Sequence, residues 1–221
     1  MKGIDHDYWT GKHAVEADIT NPDLRKAMQE MYGRKGFDFG KVGYSFYEKE
    51  EKNHYIPDGY SSYTSLTGNY QSKMKPFRNE AVEDNKELAK RCYSLAVTIA
   101  GELFFPAHKL DGITINVARS HSPINDMVYP VMESIKKYYE KEPRGYPLKS
   151  AIERYGYFFD SFGSFDEYLD YNFLQDYVLL PKKVPTNKYE LIEFWKKSID
   201  FLEARSKRIE DYARRNNLFD S

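Results

Sequence analysis

A single cysteine, Cys92, stands in 221 residues, which excludes an internal disulfide and any multi-thiolate metal centre. That scarcity fits a reducing cytosol, and a cytoplasmic location is expected. No apolar run reaches the roughly 18 residues of a membrane span, and the stretch Lys2–Thr10 has no signal-peptide core. Neither sign of charge dominates: 34 acidic and 33 basic residues leave a formal net charge of -1. A globally basic nucleic-acid binder is thereby disfavoured, although a local basic patch is not. Repeats, low-complexity tracts and Gly/Ser linkers are missing too. One globular domain over residues 1–221 is therefore expected, and 41% hydrophobic residues suffice for its core.

The familiar chemical signatures are also lacking. There is no GxxxxGK[ST], GxGxxG or GxSxG, so a glycine cradle for phosphate and a serine elbow are both disfavoured. Asp5-His6-Asp7 and His13 offer ligand types for a metal, with His54, His108 and His121 scattered elsewhere. None has the spacing that sets two imidazoles on one helical face, so no metal and no cofactor is expected. Cys92 falls on the inner face of a predicted helix, where apolar surroundings raise a thiol's pKa and keep it inert.

Aromatic residues, in contrast, are plentiful: 20 Tyr and 14 Phe bring the aromatic share to 16%. Such rings fill cores and interfaces and also stack on planar ligands. Asn21-Pro22-Asp23 is a helix opening that leads to a stop at Gly33. Between Gly43 and Thr67, short aromatic and β-branched runs around Pro57-Asp58-Gly59 read as strands or ordered loops. A helix is predicted from about Asn79 to Tyr93. The clearest β signal follows, in the run from Ser94 to Phe105 and the return Ile113–Ala118 across Asp111-Gly112, a predicted hairpin.

The second half reads as helical. Ser122-Pro123 opens one helix, with Pro130 expected to kink or divide it. Pro147–Ser161 forms another, and Ser164-Phe165-Asp166-Glu167 is a capping box for the next. Thr186 begins the longest, with Ile192, Trp195, Ile199, Leu202 and Ile209 as its buried stripe. The expected fold is α+β: a small antiparallel sheet from the N-terminal half packed against a helical C-terminal half.

One stretch suggests chemistry. Asn116-Val117-Ala118-Arg119-Ser120-His121-Ser122-Pro123 runs from the end of a predicted strand into a helix N-terminus, where unpaired N–H groups suit an anion. Arg119 adds a charged fork, His121 a titratable donor or base, and Ser120 and Ser122 hydroxyls. A plain structural alternative stands beside this: Ser122 caps the helix, Arg119 pairs with an acid such as Asp126, and His121 is simply exposed. Gln175-Asp176 and Glu203-Ala204-Arg205 with Arg208 are further polar clusters, read either as helix surface or as partners of Arg119 in one cleft.

Several of these segments carry a likeness. Thr98-Ile99-Ala100-Gly101, Phe105-Pro106, Thr114 to Arg119, Arg154-Tyr155, Phe162-Gly163-Ser164-Phe165, Phe173-Leu174-Gln175-Asp176 and Ser198 to Arg205 carry it by their order and spacing. On these motifs the chain resembles a family of uncharacterised bacterial proteins of about this length, a domain of unknown function. The resemblance implies no activity. It does imply that Asn116, Arg119, Gln175, Asp176, Glu203 and Arg205 belong to recurrent motifs, serving either a site or a buried polar network.

Two functions stay open. In the first, the protein binds a phosphate-bearing ligand such as a nucleotide or RNA, with or without acting on it. Asn116, Arg119, Ser120, Ser122, Gln175, Asp176 and Arg205 would hold it, with His121 or Glu203 as acid/base. In the second, it is a non-catalytic interaction, inhibitor or regulatory protein, phage- or mobile-element-borne, whose aromatic surplus serves a protein partner.

Overall fold

Helix dominates the described residues of the computed structural model, which are 54–59, 71–96, 98–107, 115–120 and 127–217. The order is β1 (His54–Gly59), α1 (Gln71–Asp84), α2 (Lys86–Ala96), a 3-10 turn (Ile99–Gly101) and β2 (Glu102–Ala107). Then come α3 (Ile115–Ser120), α4 (Val128–Tyr139), α5 (Lys149–Arg154), α6 (Gly156–Asp160) and α7 (Phe165–Tyr171). A second 3-10 turn (Tyr177–Leu179) leads to the long α8 (Lys188–Arg215).

The fold class expected from the sequence is overturned, since this part of the chain is all-α in character rather than α+β. Its only strands, β1 and β2, pair antiparallel with His54 opposite Ala107, a two-stranded ribbon too small to form a layer. The Leu95–Ala118 hairpin does not form. Leu95 and Ala96 end α2, and Ile115–Ser120 is helical. The β-branched run fits both periods, and the buried pair Ile115 and Arg119, four apart, shares a face in either; packing against the rest of the chain makes it a helix. At Gly101 a Cβ would stand 1.8 Å from the Ala96 carbonyl oxygen, so the chain folds back on α2 there instead of running on extended.

The helical half needs smaller corrections. Pro130 kinks nothing, because α4 starts at Val128 and the proline sits in its first turn, where no intrahelical N–H is required. The predicted Pro147–Ser161 helix is two helices that break at Tyr155, and the Asn79–Tyr93 helix is α1 and α2 meeting at Asn85. Ser164 caps α7 as expected, its hydroxyl accepting from the Glu167 N–H at 3.1 Å. α8 is capped one residue later than predicted: Asn187 accepts from the Glu190 N–H at 3.0 Å, and Glu190 reaches back to the Thr186 N–H at 2.8 Å. The Thr186 N–H and hydroxyl, both bonded to the carboxylate, hold Glu190 below its usual range. The expected helix and strands at 21–47 and 60–66, and the Asp5, His6, Asp7 and His13 group, lie outside the described residues.

Two buried clusters hold the helices. One joins α1 and α2 to α8, with Ala81, Ala89 and Cys92 against Leu191, Phe194, Trp195 and Ile199. The other is the aromatic centre, where Phe158, Phe159, Phe162 and Tyr168 meet edge to face or tilted at centroid separations of 5.1–5.8 Å. Much of the aromatic surplus is thus spent inside. Among the described residues no helix is long and apolar enough to cross a membrane.

Candidate functional site

The polar residues singled out from the sequence are distributed over three places. Arg119 lies on α3 with 2% of its surface exposed. Asn116 and Ser120 share that helix, while His121 and Ser122 fall outside the described residues. Arg205 lies on the buried face of α8, 1% exposed. Its Nε donates to the Asn172 carbonyl at 3.1 Å, and one terminal nitrogen donates to the Ile99 and Ala100 carbonyls at 3.1 and 2.6 Å. It therefore ties α8 to the first 3-10 turn and to the end of α7. Glu203, on the outer side of α8, is an ion-pair partner of Arg91 on α2, accepting from its Nε at 2.8 Å and also from a terminal nitrogen.

Gln175 and Asp176 belong to the third place, and here the structure opens. A cleft of about 490 Å³ lies between the end of α7 and the last two turns of α8. Gln175, Arg208 and Arg215 supply its polar wall, Phe173 and Tyr212 its aromatic one, and Asp170 and Asp211 bring carboxylates. Arg208, Tyr212 and Arg215 are spaced four and three apart, which places them on one helical face. The Arg208 fork grips one Asp176 oxygen at 2.9 and 2.7 Å. Gln175 is tethered through its amide nitrogen to Asp170 at 2.7 Å.

The aromatic wall is strained into position. After the Asn172 C-cap, Leu174 N–H returns to the Leu169 carbonyl at 2.8 Å and Phe173 N–H to that of Asp170 at 3.2 Å. That pattern ends a helix with a left-handed residue, usually glycine. Here the residue is Phe173, at φ 58°, a conformation costing a bulky side chain about 1–2 kcal/mol. The ring is thereby set against Tyr212, 5.5 Å away and nearly edge-on. At the floor, Arg215 Nε donates to the Asp211 carbonyl at 3.0 Å and the Asn216 amide to that of Tyr212 at 2.8 Å, covering carbonyls of the last helical turn.

Of the residues that line the cleft, Gln175 and Arg208 are polar candidates in the sequence, as is Asp176, the partner of Arg208; Tyr212 and Arg215 are not, and Phe173 enters there only as a helix and motif residue. The i, i+4, i+7 spacing of Arg208, Tyr212 and Arg215 was a usable signal. Nothing local marks Phe173, because the helix end it makes normally announces itself with glycine.

Fold and cleft together define a helical protein with a mixed-charge, aromatic-walled hollow beside its longest helix. The chain belongs to the family of unknown function DUF6994, which it matches over residues 4–209. No curated protein and no solved structure matches it.

Proposed function

We propose that the protein binds a small phosphate-bearing ligand of nucleotide size in the cleft at the end of α8. The observation that supports this most is the placement of Arg208 and Arg215 on either side of Tyr212 in a hollow walled by Phe173. A guanidinium holding a carboxylate by two nitrogens has the geometry a phosphate oxygen needs, so a ligand phosphate would take the place of Asp176 on Arg208. Arg215 adds a second charge, and the Tyr212 ring offers a face to a planar base. Asp170 and Asp211 repel a long polyanion, which favours a single nucleotide over an RNA strand. The cleft volume of about 490 Å³ is within the usual range for small-ligand sites. Arg119 and Arg205, both sealed from solvent, leave the anion to Arg208 and Arg215, the exposed arginines of the cleft.

Isothermal titration with a nucleoside monophosphate, its nucleoside and inorganic phosphate tests this. The nucleotide should bind most tightly, and Arg215→Gln should weaken it about tenfold, near 1.4 kcal/mol. Equal affinity for nucleoside and nucleotide, or an unchanged Arg215→Gln variant, would overturn the proposal.

A second function, docking of a protein partner, is favoured by Val178 and Leu179. These side chains lie on the 3-10 turn just after Asp176 and the buried Tyr177, and are 59% and 45% exposed. If a partner captured from host lysate releases the Val178→Ser/Leu179→Ser double variant yet retains Arg215→Gln, the docking role prevails.

A further inference from the structure

A second hollow, of about 590 Å³, lies where α4 ends and α5 and α6 pack beside it. Three tyrosines line it: Tyr138 and Tyr139 from the last turn of α4, and Tyr146 from the loop before α5. Tyr138 donates its hydroxyl to Asp160 at 2.8 Å, and Tyr139 donates to the Phe159 carbonyl at 2.6 Å. Burial raises all three phenols, with Asp160 adding to the effect at Tyr138, so each stays neutral around pH 7 and none brings a negative charge of its own.

The charges in this hollow are mixed. Glu142 is held by the Arg144 guanidinium at 2.8 and 3.0 Å, which leaves Glu153 and Asp160 to face Lys141 and Lys149. Lys149 shows what the hollow accommodates. Its ammonium stands 5.6 Å from the Tyr146 ring centre and donates to the Pro143 and Glu142 carbonyls at 3.2 and 3.4 Å, with Glu153 at 3.8 Å. These are long contacts around a cation that ring, carbonyls and carboxylate all attract. Asp160 is engaged through one oxygen by Tyr138.

We infer that this hollow is a binding site for an organic ammonium ion, an alkyl amine or diamine, received between the tyrosine rings and the Asp160 and Glu153 carboxylates. Lys149 is the internal stand-in for part of that ligand. The α4–α6 hollow is separate in sequence and in lining from the α8 cleft, and its test is independent of the nucleotide proposal. The steric fit depends on Gly156, where a Cβ would lie 2.8 Å from the Tyr138 hydroxyl and push it off Asp160.

Calorimetric titration of the full chain with cadaverine, and with pentanediol as its uncharged isostere, decides the matter. Cadaverine should bind saturably and the diol should not. Asp160→Asn keeps an acceptor for Tyr138 while removing the charge, so it should fold normally and weaken cadaverine about tenfold, as should Glu153→Gln. Lys149→Met vacates the resident ammonium's place and should tighten binding. Absence of saturable binding, equal binding of the diol, indifference to both charge-removing variants, or weaker binding by Lys149→Met would each overturn the assignment.

Discussion

Arg205 gives the sharpest energetic test of the fold. Three of the hydrogen bonds it donates end on carbonyls of Asn172, Ile99 and Ala100, residues that are themselves 0–1% exposed. Replacing it with methionine preserves much of the volume but removes every donor, and the three acceptors cannot turn to water. Hydrogen bonds from a charged donor contribute about 1.5–3 kcal/mol each, but such values are not additive, and broken buried networks typically cost about 3–5 kcal/mol in all. Arg205→Met should therefore destabilise by about 3–5 kcal/mol. Arg205→Lys, which restores a point charge without the fork, should lose about half of that. Urea unfolding followed by circular dichroism reads the change as a lower midpoint at constant slope. A methionine variant within about 1 kcal/mol of wild type would refute this account of how α8 is anchored. A variant that kept its stability but lost nucleotide affinity would show instead that Arg205 serves a ligand.

Other expectations follow from the same contacts. Asp176→Asn frees the Arg208 fork, so nucleotide affinity should rise in calorimetry, while stability should change by less than about 1 kcal/mol because the pair is partly exposed. Tyr138 is raised from 10.0 to about 12, chiefly by burial and then by its bond to Asp160. A folded-state pKa above the unfolded one gives stability that is complete below pH 10 and is lost as pH climbs toward 12. Alkaline unfolding should therefore be shallower over that window in Tyr138→Phe, and an identical profile would contradict the assignment. Ser164→Ala removes the α7 cap and should cost about 1 kcal/mol in the same urea assay, with an unchanged midpoint as the refuting result.

What the sequence revealed, and what it hid, divides along a physical line. Ser164 and the α8 stripe of Trp195, Ile199, Leu202 and Ile209 were legible because capping and a 3.6-residue period are local properties. The segment from Leu95 to Ala118 was misread because β-branched residues fit both strand and buried helix, and only packing against the rest of the chain chooses. For Arg205 the sequence leaves helix surface, a cleft with Arg119 and a buried polar network all open, and it lies in a buried network. Its three carbonyl partners come from segments 33 or more residues away, which no local pattern discloses. Gln175 and Asp176 were recognised as polar residues of interest, yet the cleft itself required Phe173 in a left-handed conformation and a helix face from α8. Both depend on tertiary packing.

The most direct test of the proposed function is a crystal soaked with a nucleoside monophosphate. Phosphate density bridging Arg208 and Arg215, with Asp176 displaced and the base against Tyr212, is the result expected. Density elsewhere on the molecule, or an α8 cleft left empty with Asp176 still holding Arg208, would contradict it.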